Sequence, residues 1–301
     1  QCREAARVSE FRCGHVAIVG RPSVGKSTLL NHLTGHKLSI TSKKPQTTRH
    51  RIMGVLTEPS RQFIFVDTPG FQTKHRSRLN DRLNKAVIAG LADVDVVLLV
   101  LDGAKLVQAD RDVAGLIPRE THAIAALNKV DAMADKQALL PRLAELASWR
   151  DFDALVPVSA EKGVGLEALK DEIARALPIA PALYDADTLT DRDERVLAAE
   201  MNREKIFRLL GEEVPYATTV MLEHFSEEPR LRRIGAVVLV DKPGQRAILL
   251  GEGGATMKAI ATQARRDMES LFGGKVFLEV FVRVRKNWAA TDASLSKLGY
   301  E

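Results

Sequence analysis

Directly after the apolar run His15-Val16-Ala17-Ile18-Val19, the chain carries Gly20-Arg21-Pro22-Ser23-Val24-Gly25-Lys26-Ser27, a match to G-x-x-x-x-G-K-[ST]. Thr28 to Leu33 then reads as a helix. No other feature constrains the fold as strongly, because strand, glycine loop and helix in that order let the backbone wrap a phosphate chain. The glycines permit the bend, while consecutive N–H groups and the helix N-terminus face the negative charge. In this pattern Lys26 reaches the β- and γ-phosphates and the Ser27 hydroxyl ligates Mg²⁺. Alone, the motif can arise by accident and does not separate ATP from GTP.

Further apolar runs, Phe63 to Val66, Val96 to Leu101, Ala123 to Leu127 and Ala154 to Val158, read as buried strands. They alternate with periodic stretches such as Leu79 to Leu91 and Gln137 to Ser148. The alternation predicts an α/β domain, a mainly parallel sheet with helices on both faces, whose ligands bind at the carboxyl ends of the strands. Three more motifs fall at those ends. Asp67-Thr68-Pro69-Gly70 follows Val66, so the Asp67 carboxylate can hold Mg²⁺ through water and the Gly70 N–H can sense a γ-phosphate. Asn128-Lys129-Val130-Asp131 follows Leu127, and the Asp131 carboxylate can accept from the ring N–H and the exocyclic amine of guanine. Adenine has no such donor pair, so it would leave a charged acceptor unpaired. Ser159-Ala160 can present a backbone N–H to the guanine carbonyl. With Thr28 and Phe71 at the motif edges, these residues form the expected site for GTP or GDP with Mg²⁺.

Between the phosphate loop and Asp67 lies Lys43-Lys44-Pro45-Gln46-Thr47-Thr48-Arg49-His50, polar and basic with little apolar pattern. It reads as a switch segment in which one threonine ligates Mg²⁺ and contacts the γ-phosphate; the alternative is an ordinary solvated loop. Many GTPases place a water-orienting glutamine just after Asp-Thr-x-Gly, but Phe71 stands there and has no hydrogen-bonding group; Gln72 follows it. Slow intrinsic turnover is expected.

Leu177-Pro178-Ile179-Ala180-Pro181 closes this unit. Beyond it the charge reverses: residues 181–228 carry 5 basic against 12 acidic side chains, and residues 229–288 carry 12 against 5. A helix is expected from about Asp193 to Leu210, strands over Thr218 to His224 and Ile234 to Val240, a helix over Ala255 to Phe272, and a last strand over Lys275 to Arg285. Gly251-Glu252-Gly253-Gly254 falls between the apolar run Ile248-Leu249-Leu250 and the second of these helices. Such a loop in KH domains lets the backbone approach the sugar-phosphates of about four nucleotides; on its own it is equally a tight turn. Met257, Ile260, Ala261, Ala264, Met268 and Leu271 take core spacing and leave Lys258, Arg265 and Arg266 outside. Arg283, Arg285 and Lys286 extend the basic surface. An α+β RNA-binding unit fits this order and charge, with Gly251 to Gly254, Lys258, Arg265, Arg283, Arg285 and Lys286 as its contact candidates.

Other classes are disfavoured. Cys2 and Cys13 cannot form a disulfide framework, Gln1 to Arg12 lacks the pattern of a secretory signal, and no apolar run approaches bilayer length. These features, with a net charge of +5, lead to the expectation of a cytoplasmic protein. The histidines have no metal-ligand spacing.

Taken together, GRPSVGKST, KPQTTRHR, DTPG, NKVD and SA, the connector LTDRDERVLAAEMNREKIF, the KH segment and the terminal NWAATDASLSKLGY resemble the Era family of bacterial ribosome-assembly GTPases. The resemblance covers essentially the whole chain. It implies a P-loop GTPase domain followed by a type II KH domain, divided here as 1–180, an acidic linker 181–195, 196–288 and a tail 289–301. It also implies binding to the 3′ end region of the small-subunit (16S) ribosomal RNA, with GTP binding and hydrolysis coupled to 30S assembly and maturation. By the same resemblance Thr48 joins Ser27 and Asp67 as a magnesium ligand and, with Lys26 and Gly70, serves catalysis. An apolar residue at Phe71 fits the family. Two positions depart from it. Ser23 stands where the family often has an asparagine tied to a potassium ion, which weighs against K⁺ activation. Glu252 stands where a basic residue is common. A monomer is expected, and the basic patches suggest peripheral contact with the inner membrane face. Rival readings are a related GTPase acting on another RNA or a protein, and an RNA-binding protein that holds nucleotide only as a structural ligand.

Overall fold

The computed structural model describes residues 10–42, 44, 47, 51–71, 84, 85, 87, 88, 90, 91, 93–211, 213–286 and 288. Six strands, β1 (Arg12–Val19), β2 (Ile52–Glu58), β3 (Arg61–Asp67), β4 (Val96–Asp102), β5 (His122–Asn128) and β6 (Ala154–Pro157), form one sheet in the order β2-β3-β1-β4-β5-β6. Only the edge strand β2 runs antiparallel, paired with β3 through a tight hairpin; the other pairings are parallel. Strand side chains alternate between faces, and both faces are covered. Val16 and Ile18 pack with Leu29 and Leu30 of α1 (Lys26–Thr34), while Ala17 and Val19 pack with Val113 of α2 (Gln108–Gly115) and Leu146 of α3 (Leu139–Ala147). Leu169 and Ile173 of α4 (Leu166–Ala176) complete the first of these cores. The parallel strands therefore deliver Val19, Asp67, Asp102 and Asn128 to one edge of the sheet. The expected strands all form. Strand β2 was not singled out in the sequence, because Gly54, Thr57 and Glu58 interrupt its apolar pattern.

The connector runs along the outer edge of this sheet. Val55 N–H donates to Leu189 O (2.8 Å), the Thr190 hydroxyl to Met53 O (2.5 Å), and Gln62 bonds Leu183 N and Tyr184 O.

The second unit comprises α5 (Glu194–Leu209), the single turn α6 (Glu213–Tyr216), β7 (Thr218–Glu228), β8 (Leu231–Val240), α7 (Pro243–Leu250), α8 (Ala255–Phe272) and β9 (Lys275–Val284). The sheet order is β7-β8-β9, antiparallel then parallel. Helices α5, α7 and α8 cover one face through Ile206, Leu249, Met257, Ile260, Ala264 and Met268. The apolar run at Ile248 to Leu250 is the last turn of α7, a helix the sequence reading did not separate. Its signals are Pro243 in the first turn and Gln245, whose side-chain oxygen accepts from the Asp241 and Lys242 N–H groups (3.0 and 2.9 Å).

Helix α5 is buried on more sides than an amphipathic helix is. Leu197, Ala198, Met201, Ile206 and Phe207 are inside, but so are Glu200, Asn202, Arg203, Glu204 and Lys205. Its polar side lies against the loop that follows α1, where Glu204 pairs with Lys37 and Arg203 donates to Thr47 O.

Candidate nucleotide site and RNA face

The phosphate loop turns where only unusual backbone angles fit. Gly20 has φ +150° and a Cβ there would lie 2.4 Å from Val100 O; Gly25 has φ +104° and a Cβ there would lie 2.3 Å from Asn128 Nδ2. Ser23 takes φ +65°, a left-handed conformation rare for a residue with a Cβ. Lys26 is only 6 % exposed, and its Nζ donates to Gly20 O and Arg21 O, 3.0 Å each. Burial draws its pKa down to about 8, with Asp67 pulling up and Arg21 pushing down. Arg21 in turn is held by the fully buried Asp110 (2.8 Å) and by Lys105 O (3.0 Å).

Asp67, 0 % exposed, accepts the Ser27 hydroxyl at Oδ2 (2.7 Å). A hydroxyl and a carboxylate converging in this way are the hard oxygen donors that Mg²⁺ takes, so the residues present fit that ion. Thr68 anchors the turn through Ile18 O (2.8 Å), and a Cβ on Gly70 would collide with the Pro22 backbone at 2.8 Å. Phe71 is half-buried and packs against the core on the α2–α3 side of the sheet. Gln72 and Thr48 lie outside the described residues.

Asn128 ties three loops together: Nδ2 donates to Val24 O and Oδ1 accepts from Ala160 N–H, both at 2.8 Å. Lys129 Nζ reaches Ser23 O (2.7 Å) and Asp102 (2.8 Å), while Asp131 is exposed in a one-turn helix beginning at Val130. Ser159 N–H is committed to Val164 O (2.9 Å). Ala160 N–H is committed too, to Asn128 Oδ1.

In the second unit Gly251, Gly253 and Gly254 all have positive φ, and a Cβ on Gly251 would meet Thr256 Oγ1 at 2.2 Å. Glu252 at the tip and Lys258 one turn into α8 are exposed. Arg283, Arg285 and Lys286 are exposed at the end of β9, with Arg283 bidentate on Glu223. Arg265 is the exception among the candidates. It lies eleven residues beyond Gly254, about 16 Å along the helix, and pairs with Glu269 (2.7 Å). The structure does not bring it to the loop. Exposed Arg246 and Ile248, on the last turns of α7, flank the loop instead.

Comparison with known proteins matches this arrangement from end to end. A family model described as 50S ribosome-binding GTPase matches residues 15–129, and a KH domain model matches residues 213–289. The GTPase Era of Nitrosomonas eutropha is 50% identical over 293 residues, covering 97% of this chain and 99% of that protein. The GTPase Era of Bordetella pertussis is 50% identical over 292 residues, with the same coverage. The chain belongs to the Era family of GTPases. It is thus a GTP hydrolase with a P-loop GTPase domain followed by a KH domain. Among solved structures, Era in complex with MgGDPNP and nucleotides 1506–1542 of 16S ribosomal RNA superposes with a TM-score of 0.91 at 34% identity, covering 96% of this chain and 99% of that one. An Aquifex aeolicus Era variant bound to GDP·AlF4⁻ does so with the same TM-score, identity and coverage.

Within this Era-family frame, the segment from Lys37 to Thr47 docks on α5. Lys37 Nζ pairs with Glu204 (2.6 Å) and with Asp267 of α8 (2.5 Å), and Lys205 pairs with the same two carboxylates. Thr41 donates to Glu204 through N–H (3.0 Å) and hydroxyl (3.2 Å). Lys44 Nζ donates to Phe207 O (2.7 Å) and Leu210 O; Arg203 reaches Thr47 O and Glu200. The Thr47 hydroxyl is spent inside the loop, on Ser42 and Lys44 O at 2.7 Å each. Burial alone would raise the Glu204 and Asp267 carboxyls, but the Lys37 and Lys205 hydrogen bonds and charges hold both below their ordinary range. None of Lys37, Thr41, Arg203, Glu204 or Asp267 was selected from sequence. For Arg203 and Glu204 the one signal is the set of charged residues inside a helix that also has to fill a core; Lys37 and Thr41, in the loop, carry none.

Proposed function

We propose that this chain is a GTP-gated clamp for the 3′ end region of 16S ribosomal RNA, in which GTP binding and hydrolysis pace small-subunit maturation. The observation that carries the reading is the docking of the segment between the phosphate loop and Asp67 on α5, a helix of the RNA-binding unit. The full-length likeness to an Era protein holding both MgGDPNP and that RNA supports it.

In this reading Gly20 to Thr28 and Asp67 to Phe71 surround the phosphates, with Lys26 on the β- and γ-phosphates. Ser27, Thr48 and, through water, Asp67 hold Mg²⁺. Asn128 to Asp131 and Ser159-Ala160 select guanine. Gly251 to Gly254, Lys258, Arg283, Arg285 and Lys286 hold RNA. The chain divides into a GTPase domain 1–180, a linker 181–195 and a KH domain 196–288. Among the described residues no helix is long and apolar enough to cross a membrane, and a ribosomal RNA partner puts the protein in the cytoplasm.

The test is the affinity for a short strand of the 16S 3′ end, measured with a non-hydrolysable GTP analogue and with GDP at one salt concentration. Tighter binding with the analogue is expected. Equal binding in both states would reduce the molecule to two independent sites, and no binding would reassign the KH partner.

A further inference from the structure

We propose that Ser39 is a positioning residue of the magnesium site, fixing the Asp67 carboxylate in the orientation the metal requires; this rests on the GTP–Mg²⁺ reading above. The Ser39 hydroxyl donates to Asp67 Oδ2 at 2.7 Å, on the same oxygen that accepts Ser27. Ser27 can ligate the metal through a lone pair while its O–H stays on Asp67, so it serves both partners at once. Ser39 has no second task at the site. It is 1 % exposed between the buried Leu38 and Ile40, and both of its backbone groups are taken by one side chain. Asn31 Oδ1 accepts from Ser39 N–H (2.8 Å) and from Leu38 N–H (3.0 Å), and Asn31 Nδ2 donates to Ser39 O (2.7 Å).

The source of this order is α1. Ser27 and Asn31 are four residues apart on one helix, so they share a face. One turn supplies the metal-ligating hydroxyl, and the next supplies the amide that holds Ser39 on the metal's carboxylate. A buried carboxylate that loses a donor pays for it, and partners one shell out from a metal typically set its affinity by roughly 10–100-fold. The role lies in binding the ion, not in the chemical step.

The experiment follows release of a fluorescent GDP analogue from the full chain while Mg²⁺ is titrated, for wild type, Ser39→Ala, Asn31→Ala and the double variant. Release from wild type should slow as Mg²⁺ rises; a wild type that ignores Mg²⁺ would sink the GTP–Mg²⁺ reading itself. For Ser39→Ala the midpoint should move to about tenfold higher Mg²⁺, while GDP affinity in EDTA stays as in wild type. Asn31→Ala should move it the same way, and the double variant should fall short of the sum, because both act through one contact. A Ser39→Ala midpoint within about twofold of wild type would overturn the proposal. So would a loss of GDP affinity in EDTA, which would make Ser39 a support of the loop and not of the metal.

Discussion

Gly25 illustrates how the phosphate loop spends its backbone freedom. Its left-handed φ and the 2.3 Å approach of Asn128 Nδ2 to its missing Cβ leave no room for a side chain. Gly25→Ala should cost about 1–3 kcal/mol in strain and push Asn128 off Val24 O. GDP affinity measured by calorimetry should fall sharply while the far-ultraviolet spectrum stays native. Glu252 is the opposite case, an exposed carboxylate at the tip of the RNA loop. Glu252→Lys should tighten RNA binding and steepen the salt dependence by about one phosphate contact; an unchanged salt slope would place residue 252 away from the backbone of the strand. Both positions were legible in the sequence because each motif is a local run whose backbone angles and spacing suffice to define it. Ser39, Asn31 and Glu204 were not legible, since their partners lie 28, 8 and 163 residues away and exist only after folding.

At the scale of elements, the helix expected from about Asp193 to Leu210 forms as α5, but its periodicity does not show which of its sides are buried. A helix with Glu200, Arg203, Glu204 and Lys205 buried gives a poor amphipathic signal, because it serves two neighbours at once. Strands β1, β3, β4 and β5 were read correctly for the converse reason: buried on both faces, they are continuous apolar runs. Arg203 bonds Glu200 and Thr47 O within the interior. Arg203→Met should therefore destabilise by about 3–5 kcal/mol by taking a buried cation from beside Glu200 and Thr47 O, whereas Arg203→Lys should cost less. Thermal unfolding distinguishes these outcomes. The Lys37–Glu204–Asp267 cluster has a defined pH window. Glu204 and Asp267 sit below their ordinary values, so their contribution holds above the usual carboxylate range, near 4, and fades as pH falls through the depressed values. Lys37 is raised, so its contribution holds below the usual lysine value and fades only at higher pH. Hydrogen exchange of the segment 37–42 should thus be flat from about pH 5 to 9 once corrected for intrinsic rates, and rise more steeply below about pH 4.

For the whole molecule, the proposed clamp requires the two binding events to answer to each other through the docked segment. If a GTP analogue tightens RNA binding by some factor, RNA must tighten the analogue by the same factor. Measuring both legs on one preparation tests this, and Glu204→Ala should shrink both together, since Thr41 and Lys37 lose their common partner.

One feature of α5 bears on how such a chain can be taken apart. A fragment beginning at residue 182 would keep the sheet β7-β8-β9 and its helical cover, yet would turn Arg203 and Glu204 out to water, deprived of Thr47, Thr41 and Lys37. The RNA-binding half can therefore carry its own core elsewhere, but not its contacts with the GTPase unit. Grafted onto another GTPase it would arrive with an unmatched polar seam, and its exchange between proteins would require the loop after α1 to travel with it.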